Sequence, residues 1–147
     1  MTPIHSLASL ILLWMALLVP SSPWLGDYPE EAQAIADACS ERPVFGSPMR
    51  CAAVLVAIAY HESRFDPRAI GDGGRSISPW QISKHWKPGT TLAEQAQRAV
   101  SLLEESRRIC HGMPPDEQLG WYCSGGAICG RPASSRIRMH LAASLMR

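Results

Sequence analysis

The segment Cys51-Ala-Ala-Val-Leu-Val-Ala-Ile-Ala-Tyr60 runs without a break into His61-Glu62-Ser63-Arg64-Phe65-Asp66-Pro67, and this stretch decides how the chain folds. A helix this apolar is buried on nearly all sides. On a period of 3.6 residues, Leu55, Ile58 and Glu62 share one face, which places a carboxylate at the end of an apolar stripe. Burial disfavours the charged form, so Glu62 is predicted to keep its proton near neutral pH, as a general acid requires. The alternative is a helix-end carboxylate turned toward solvent.

Size and charge limit the classes of function. The chain of 147 residues has room for one domain with one core. A formal net charge of +1 excludes bulk attraction to nucleic acid as the main activity, because phosphate binding needs a concentrated basic surface. The charge is unevenly distributed along the chain. The C-terminal segment has no acidic residue among its arginines, which are Arg131, Arg136, Arg138 and Arg147. These arginines are interpreted as a solvated helix face, with contact to an anionic polymer such as a cell-wall glycan as the alternative.

The first residues predict the compartment. Residues 7–19 are almost entirely apolar and are followed by Pro20-Ser-Ser-Pro23, the pattern of a hydrophobic export segment and its breaker. We expect residues 1–25 to be a signal peptide, or else a membrane anchor, and residues 27–147 to form the domain. A buried core helix is the third alternative, because the apolar run is short for a membrane span. The protein is accordingly expected in the periplasm or cell envelope, as a monomer.

The cysteines fit export. Five in a small domain are typical of an oxidising compartment. Cys39 and Cys51 join the end of one helix to the first turn of the next, and Cys110 and Cys129 bracket a Gly/Pro-rich loop, so these are the two predicted disulfides. Cys123 would then be free, although other pairings stay open. A zinc site from the later cysteines and their neighbouring histidine lacks a Cys-x-x-Cys spacing, so no metal or cofactor is expected.

Helix and loop signals divide the middle of the chain. Asp27 is expected to open a capping box for a helix that ends before Pro43, and Ser47 to cap the apolar helix that delivers Glu62. Residues 71–79 are too rich in Gly and Ser to be helical. They are predicted to form a loop or a small irregular hairpin.

Three more helices are expected after this loop. Thr91 and Glu94 form a capping box that opens a long helix to about residue 110, and a short helix covers residues 116–122. Ser134 or Ser135 is expected to cap a terminal helix that turns its apolar residues inward, namely Ile137, Leu141 and Leu145. Because no repeat or strand alternation is visible, the domain is predicted to be mainly α.

Three short motifs follow one another along the chain: Glu62-Ser63 with Asp66-Pro67, Ser78-Pro-Trp-Gln81 and Trp121-Tyr122-Cys-Ser-Gly-Gly126. Together they resemble the Glu-Ser-x-x-x-Pro, Gly-Leu-x-Gln and Ala-Tyr-Asn-x-Gly motifs of the lysozyme-like lytic transglycosylase superfamily, whose catalytic domain shares the fold of goose-type lysozyme. The resemblance covers nearly everything from about residue 28 onward. It implies a single lysozyme-like domain.

The resemblance also implies an activity and a site. The activity is that of a peptidoglycan lytic transglycosylase, which cleaves the β-1,4 bond between N-acetylmuramic acid (MurNAc) and N-acetylglucosamine (GlcNAc). Glu62 would be the catalytic acid and base, Gln81 would help hold an N-acetylated sugar, and Tyr122 would orient Glu62. We also assign substrate binding to residues of the loop before Gln81, namely Ser76, Ser78 and Trp80. Core packing is an equal alternative for the tryptophan.

The motifs depart from the family pattern at a few positions. Ser78 and Pro79 stand where Gly and Leu are usual, and Cys123 stands where Asn is usual. Gly71 replaces the Ser that is usual nine residues beyond the catalytic Glu. These changes affect the residues expected to bind the substrate more than they affect the catalytic Glu62.

The number of carboxylates decides between mechanisms. A conventional glycosidase uses two, whereas only Glu62 has a clear catalytic setting here. In the family's scheme Glu62 protonates the glycosidic oxygen, the substrate's N-acetyl group stabilises the cation, and Glu62 takes a proton from the 6-hydroxyl to leave a 1,6-anhydro ring. Alternatively Asp72 positions water, as in a hydrolase, although its position beside glycines also suits a turn residue. A non-catalytic glycan-binding module of the same fold is the remaining alternative.

Overall fold

The computed structural model describes residues 6–147, and over this range the chain is mainly helical, as predicted. Its helices are α1 (Leu7–Leu18), α2 (Tyr28–Glu41), α3 (Pro48–Ser63), α4 (Leu92–Ile109), α5 (Gly120–Cys123) and α6 (Pro132–Leu145). Between α3 and α4 lies an antiparallel sheet of three short strands in sequence order, namely β1 (Ile70–Gly71), β2 (Ser76–Ile77) and β3 (Ile82–Ser83). Strands β1 and β2 form the small hairpin expected in this segment, and β3 adds a third strand to it.

Helix α3 lies at the centre of the helical layers. Every residue from Cys51 to Ala59 is buried, and the helix packs against α1, α2 and α6. It begins as predicted, because the Ser47 hydroxyl accepts a hydrogen bond from the Arg50 amide at 3.1 Å. It ends at Ser63, where Arg64 turns into the left-handed region with φ 53°. The core thus holds the last turn of α3, which carries Glu62, in a fixed position.

Two disulfides fasten the helices. Cys39 is bonded to Cys51, which ties the end of α2 to the first turn of α3, and Cys110 is bonded to Cys129, which ties the end of α4 to the loop before α6. These are the pairs expected from the sequence, and Cys123 is the free cysteine. Disulfides of this kind are typical of an oxidising compartment.

Two helix starts differ from their predictions. The Asp27 side chain makes no capping hydrogen bond, and α6 begins at Pro132, with Arg131 rather than Ser134 or Ser135 at the N-cap position. Proline suits the first helical turn because its missing N–H would have no partner there. The buried face of α6 also differs, since Ile137 is 53% exposed. The buried positions of this helix are Ser135 and Ala142.

Helix α1 packs on α2 and α3. Its residues Ile11, Trp14 and Met15 are buried, and the Tyr28 hydroxyl donates to the Val19 carbonyl at 3.0 Å just beyond its end. This is the packing expected of the core-helix alternative. Within residues 6–147 no helix combines the length and the apolar character that a bilayer span needs. The signal peptide stays a prediction, and its first five residues lie outside the described part of the chain.

Helix α2 buries a carboxyl group that the sequence analysis did not single out. Glu31 is 1% exposed, and its Oε2 has no hydrogen-bond partner within residues 6–147. Burial, followed by the negative charges of Asp27 and Asp66, raises the pKa of Glu31 to about 9. The folded protein therefore holds this carboxyl neutral at pH 7, whereas the unfolded chain ionises it.

Replacing Glu31 with Gln is expected to stabilise the protein at neutral pH. A folded-state pKa above the unfolded value contributes stability that is full below pH 4.5 and is lost as the pH rises toward 9. At pH 7 this loss is about 3 kcal/mol. The free energy of unfolding of Glu31→Gln, relative to that of the wild type, should therefore rise by about 3 kcal/mol between pH 4 and pH 7, as measured by urea unfolding. The exposed Asp37→Asn change on the same helix is the control, and parallel pH curves for Glu31→Gln and wild type would contradict the assignment.

Candidate active site

A cleft opens where the last turn of α3 meets the sheet and α5. Its volume is about 150 Å³, which is small for a ligand site, so the cleft has room for only part of a ligand. The wall is formed by Glu62, Asp72, Ser76, Gln81, Ser83, Trp86, Tyr122, Cys123, Gly125 and Arg131. Four of the six residues predicted for catalysis or substrate binding thus come together, although they lie far apart in sequence.

Glu62 occupies this cleft as a half-buried carboxyl group. Its side chain is 27% exposed. Burial raises its pKa above the ordinary value, and the negative charge of Asp72 adds to this, while Arg138 and Arg131 oppose it. Its place in the C-terminal turn of α3 also disfavours the carboxylate, because the helix dipole is negative there. Glu62 is therefore set up to hold a proton, which is the state that a general acid needs.

Arg138 is the partner of Glu62 that the sequence analysis missed. Its Nη2 lies 3.5 Å from Glu62 Oε2, and its side chain is only 14% exposed because α6 packs against α3. The interpretation of this arginine as part of a solvated helix face is wrong. No local signal predicts this contact, because Arg131 lies at the N-cap position outside α6 and its seven-residue spacing to Arg138 does not define one helix face. Arg131 lines the same cleft.

Trp80 does not reach the cleft. It is fully buried, and its indole N–H donates to the Leu55 carbonyl in the middle of α3 at 3.1 Å. Its assignment to substrate binding is therefore wrong, and the core alternative is the one observed. The tryptophan in the cleft wall is Trp86, which is stacked on Trp121 with ring centroids 4.8 Å apart.

Ser78 is buried as well and makes only internal contacts. Its hydroxyl accepts from the Trp80 amide at 3.2 Å, and its carbonyl accepts from Gln81 Nε2 at 3.0 Å. The structure thus places Ser78 behind the cleft, where it positions Gln81 but has no surface for a substrate. By contrast, Ser76 lines the cleft and donates to Asp72 Oδ2 at 2.6 Å.

Two departures from the family motifs have opposite structural effects. Ser78 has φ 82°, in the left-handed region that favours glycine, so the usual Gly suits this backbone and the serine strains it. At Gly71 a Cβ atom would lie 2.1 Å from Gln81 Oε1. Glycine at position 71 therefore makes room for the Gln81 amide, and a serine there would displace it.

Tyr122 supports the loop behind the acid. Its hydroxyl donates to the Trp80 carbonyl at 2.8 Å, and its amide donates to the Ser106 hydroxyl at 3.2 Å. A phenol has one proton to give, and here it goes to Trp80. Tyr122 thus fixes the loop that carries Gln81 and lines the cleft together with Glu62, and its orientation of Glu62 stays a prediction.

Asp72 is both a turn residue and a residue of the cleft wall, so it fits both alternatives considered for it. It begins the turn between β1 and β2 with φ 52°, and its carboxylate lines the cleft that contains Glu62. Cys123, across the cleft, is an unreactive thiol because burial raises its pKa to about 11. Within residues 6–147 no group of three or more His, Cys, Asp or Glu side chains is placed to hold a metal ion.

A larger cavity of about 340 Å³ lies between Phe45 and the end of α6. Its lining is mostly apolar and includes Val54, Met139 and Met146, with Arg50 and Arg107 among the polar members. No carboxylate lines it, so it lacks the acid chemistry of the smaller cleft.

Comparison of the chain with protein-family models, with curated proteins and with solved structures finds no match. The geometry of the cleft and the motif resemblance are therefore the observations that bear on function.

Tyr122→Phe tests whether the phenol supports the loop. The substitution leaves the buried Trp80 carbonyl without its donor, so we expect the free energy of unfolding to fall by about 1–3 kcal/mol. Tyr60→Phe is the matched control, because its hydroxyl only accepts an exposed hydrogen bond from Arg64. Chemical denaturation of both variants is the measurement, and equal stability of the two would contradict the role given to Tyr122.

Proposed function

We propose that the protein is an exported peptidoglycan lytic transglycosylase with a lysozyme-like fold. The observation that carries the proposal is the half-buried Glu62 carboxyl, which has a raised pKa and shares a cleft with Gln81. The order and spacing of the three motifs supports the substrate class. The two disulfides support an oxidising compartment, for which we propose the periplasm or cell envelope.

In the proposed reaction Glu62 acts twice. It first gives its proton to the glycosidic oxygen as the bond to the sugar's anomeric carbon breaks, while the substrate's own N-acetyl oxygen stabilises the cation. It then removes the proton from the 6-hydroxyl, whose oxygen closes the 1,6-anhydro ring. One carboxyl group suffices for both steps, because the acid becomes a base once it has lost its proton.

The remaining residues of the cleft would hold the sugar. Gln81 uses Nε2 to bond the Ser78 carbonyl, which leaves its Oε1 to accept from the N–H of an N-acetyl group. Trp86 offers an aromatic surface for a sugar face, and its stacking on Trp121 keeps the ring in place. These contacts fit an N-acetylated glycan strand.

Asp72 supports a second candidate function, that of a hydrolase. It lines the cleft with Glu62, so a water molecule between the two carboxyl groups would have a base. The transglycosylase is preferred because the carboxylate already accepts from Ser76 and forms part of a tight turn.

Glu62→Gln is expected to lower the rate of cell-wall digestion by about 10²- to 10⁴-fold, since the amide cannot donate the required proton. Release of soluble fragments from purified peptidoglycan is the measurement. Glu105→Gln, a partly exposed carboxyl on α4, is the control and should leave the rate unchanged. Unchanged digestion by Glu62→Gln would exclude this acid, and failure of the wild type to release fragments would favour the non-catalytic glycan-binding module.

The products and the pH dependence separate the two enzymes. We expect fragments that lack one water per cut, and Asp72→Asn should still form them. Because the reaction begins from protonated Glu62, the rate should fall as the pH rises through the Glu62 pKa, which lies above 4.5. Mass spectrometry of digests over a pH series tests both points. Products that carry the added water, lost on Asp72→Asn, would establish the hydrolase instead.

A further inference from the structure

Arg138 is a largely buried cation whose donors are only partly used. Its Nη1 donates to the Ser134 carbonyl at 3.1 Å, and its Nη2 lies 3.5 Å from Glu62 Oε2, which is long for a charge-assisted hydrogen bond. Its Nε is buried and has no acceptor within residues 6–147. A guanidinium in this state gains from an anion that can use the remaining donors.

The groups around this pair give Arg138 a single acidic partner. From α3 it faces Glu62 and His61, and from α5 it faces the neutral groups of Tyr122 and Cys123. Within the described residues Glu62 is the only carboxylate in ion-pair distance. The pair is thus at odds with acid catalysis, because a proton on Glu62 leaves Arg138 without a counter-charge.

We propose that Arg138, together with Arg131, binds a carboxylate of the glycan beside Glu62, and that this carboxylate replaces Glu62 as the partner of Arg138. The inference rests on the proposed function, which supplies the ligand. Peptidoglycan offers two such groups: the lactyl carboxylate of a MurNAc unit that carries no stem peptide, and the carboxylates of the stem where the lactyl group is amide-bonded to it. A strand of GlcNAc alone offers neither. The subsite would therefore select acidic wall glycan over neutral glycan.

Arg131 is the residue that a carboxylate entering the cleft from solvent would meet first. It is exposed, it lines the cleft, and it lies at the N-cap position of α6, seven residues before Arg138. Both arginines act on Glu62 by their charge. A carboxylate bound between the two arginines would pair with Arg138, and its negative charge would disfavour the charged form of Glu62.

A thermodynamic consequence follows from this exchange of partners. Once Arg138 is paired with the ligand, Glu62 loses its closest positive charge and its pKa rises further, so at a pH above the pKa of the free protein Glu62 takes up a proton from solvent. Binding of the acidic sugar and protonation of Glu62 must then favour each other, because coupling between two binding events is reciprocal. The substrate would thereby prepare the acid that cleaves it.

Binding measurements test the subsite without requiring cleavage. Isothermal titration calorimetry would use three probes: GlcNAc, MurNAc, and a MurNAc-peptide in which an amide caps the lactyl carboxylate. We expect at least one acidic probe to bind about tenfold tighter than GlcNAc. Tight binding of MurNAc identifies the lactyl group, and tight binding of the peptide probe alone identifies the stem. At a pH above the pKa of Glu62 in the free protein, buffers of different ionisation enthalpy should reveal proton uptake with the acidic probe, which Glu62→Gln should abolish.

Arg138→Gln should remove both the preference for acidic probes and the proton uptake. Arg136→Gln is the matched control on the same helix, since Arg136 pairs with Glu117 at 3.3 Å and lies outside the cleft. Because Arg131 is exposed, Arg131→Gln should weaken the preference for acidic probes without disturbing the fold. If Arg138→Gln unfolds, the Arg131→Gln variant alone tests whether the arginines bind the carboxylate. Equal binding of all three probes by a protein that digests wall overturns the subsite alone. No binding of any probe, together with no digestion, overturns the proposed function and the subsite with it.

Discussion

The buried indole of Trp80 is the contact on which the geometry of the cleft depends. Its N–H bonds the Leu55 carbonyl of α3, and its carbonyl accepts from the Tyr122 hydroxyl of α5. One residue thus joins the central helix, the sheet region and α5. Since neither bond is exposed to water, both resist exchange with solvent. Gln81, the next residue, is placed beside Glu62 because Trp80 cannot move.

Glu62 is held between influences of opposite sign. Burial and the end of α3 favour its neutral form, whereas Arg138 favours the carboxylate. Burial is the larger effect, and the 3.5 Å separation keeps the ion pair weak. An acid that must lose and regain a proton in one reaction cycle needs such a balance. A closer arginine would fix the carboxylate, and no arginine would leave its charge unsupported.

Local signals predicted the parts that depend on neighbours in sequence. The Ser47 cap, the Thr91 capping box with Glu94, and the apolar run of α3 were readable because each involves residues within a few positions. Trp80 and Arg138 were misread because their places depend on distant partners, Leu55 in one case and Glu62 in the other. The rotation of α6 also escaped prediction. A helix with weak amphipathic character takes its orientation from what it packs against.

A raised pKa does not by itself identify a catalytic acid in this protein. Glu31 and Glu62 are both shifted upward, and burial is the largest cause for each. Glu31 is sealed inside the helical layers among other acids, where no substrate can reach its proton. Glu62 opens on a cleft that it shares with the amide of Gln81, and Arg138 is a cation close enough to interact with its carboxylate. Access and partners therefore distinguish the acid that can react from the one that only carries a cost to stability.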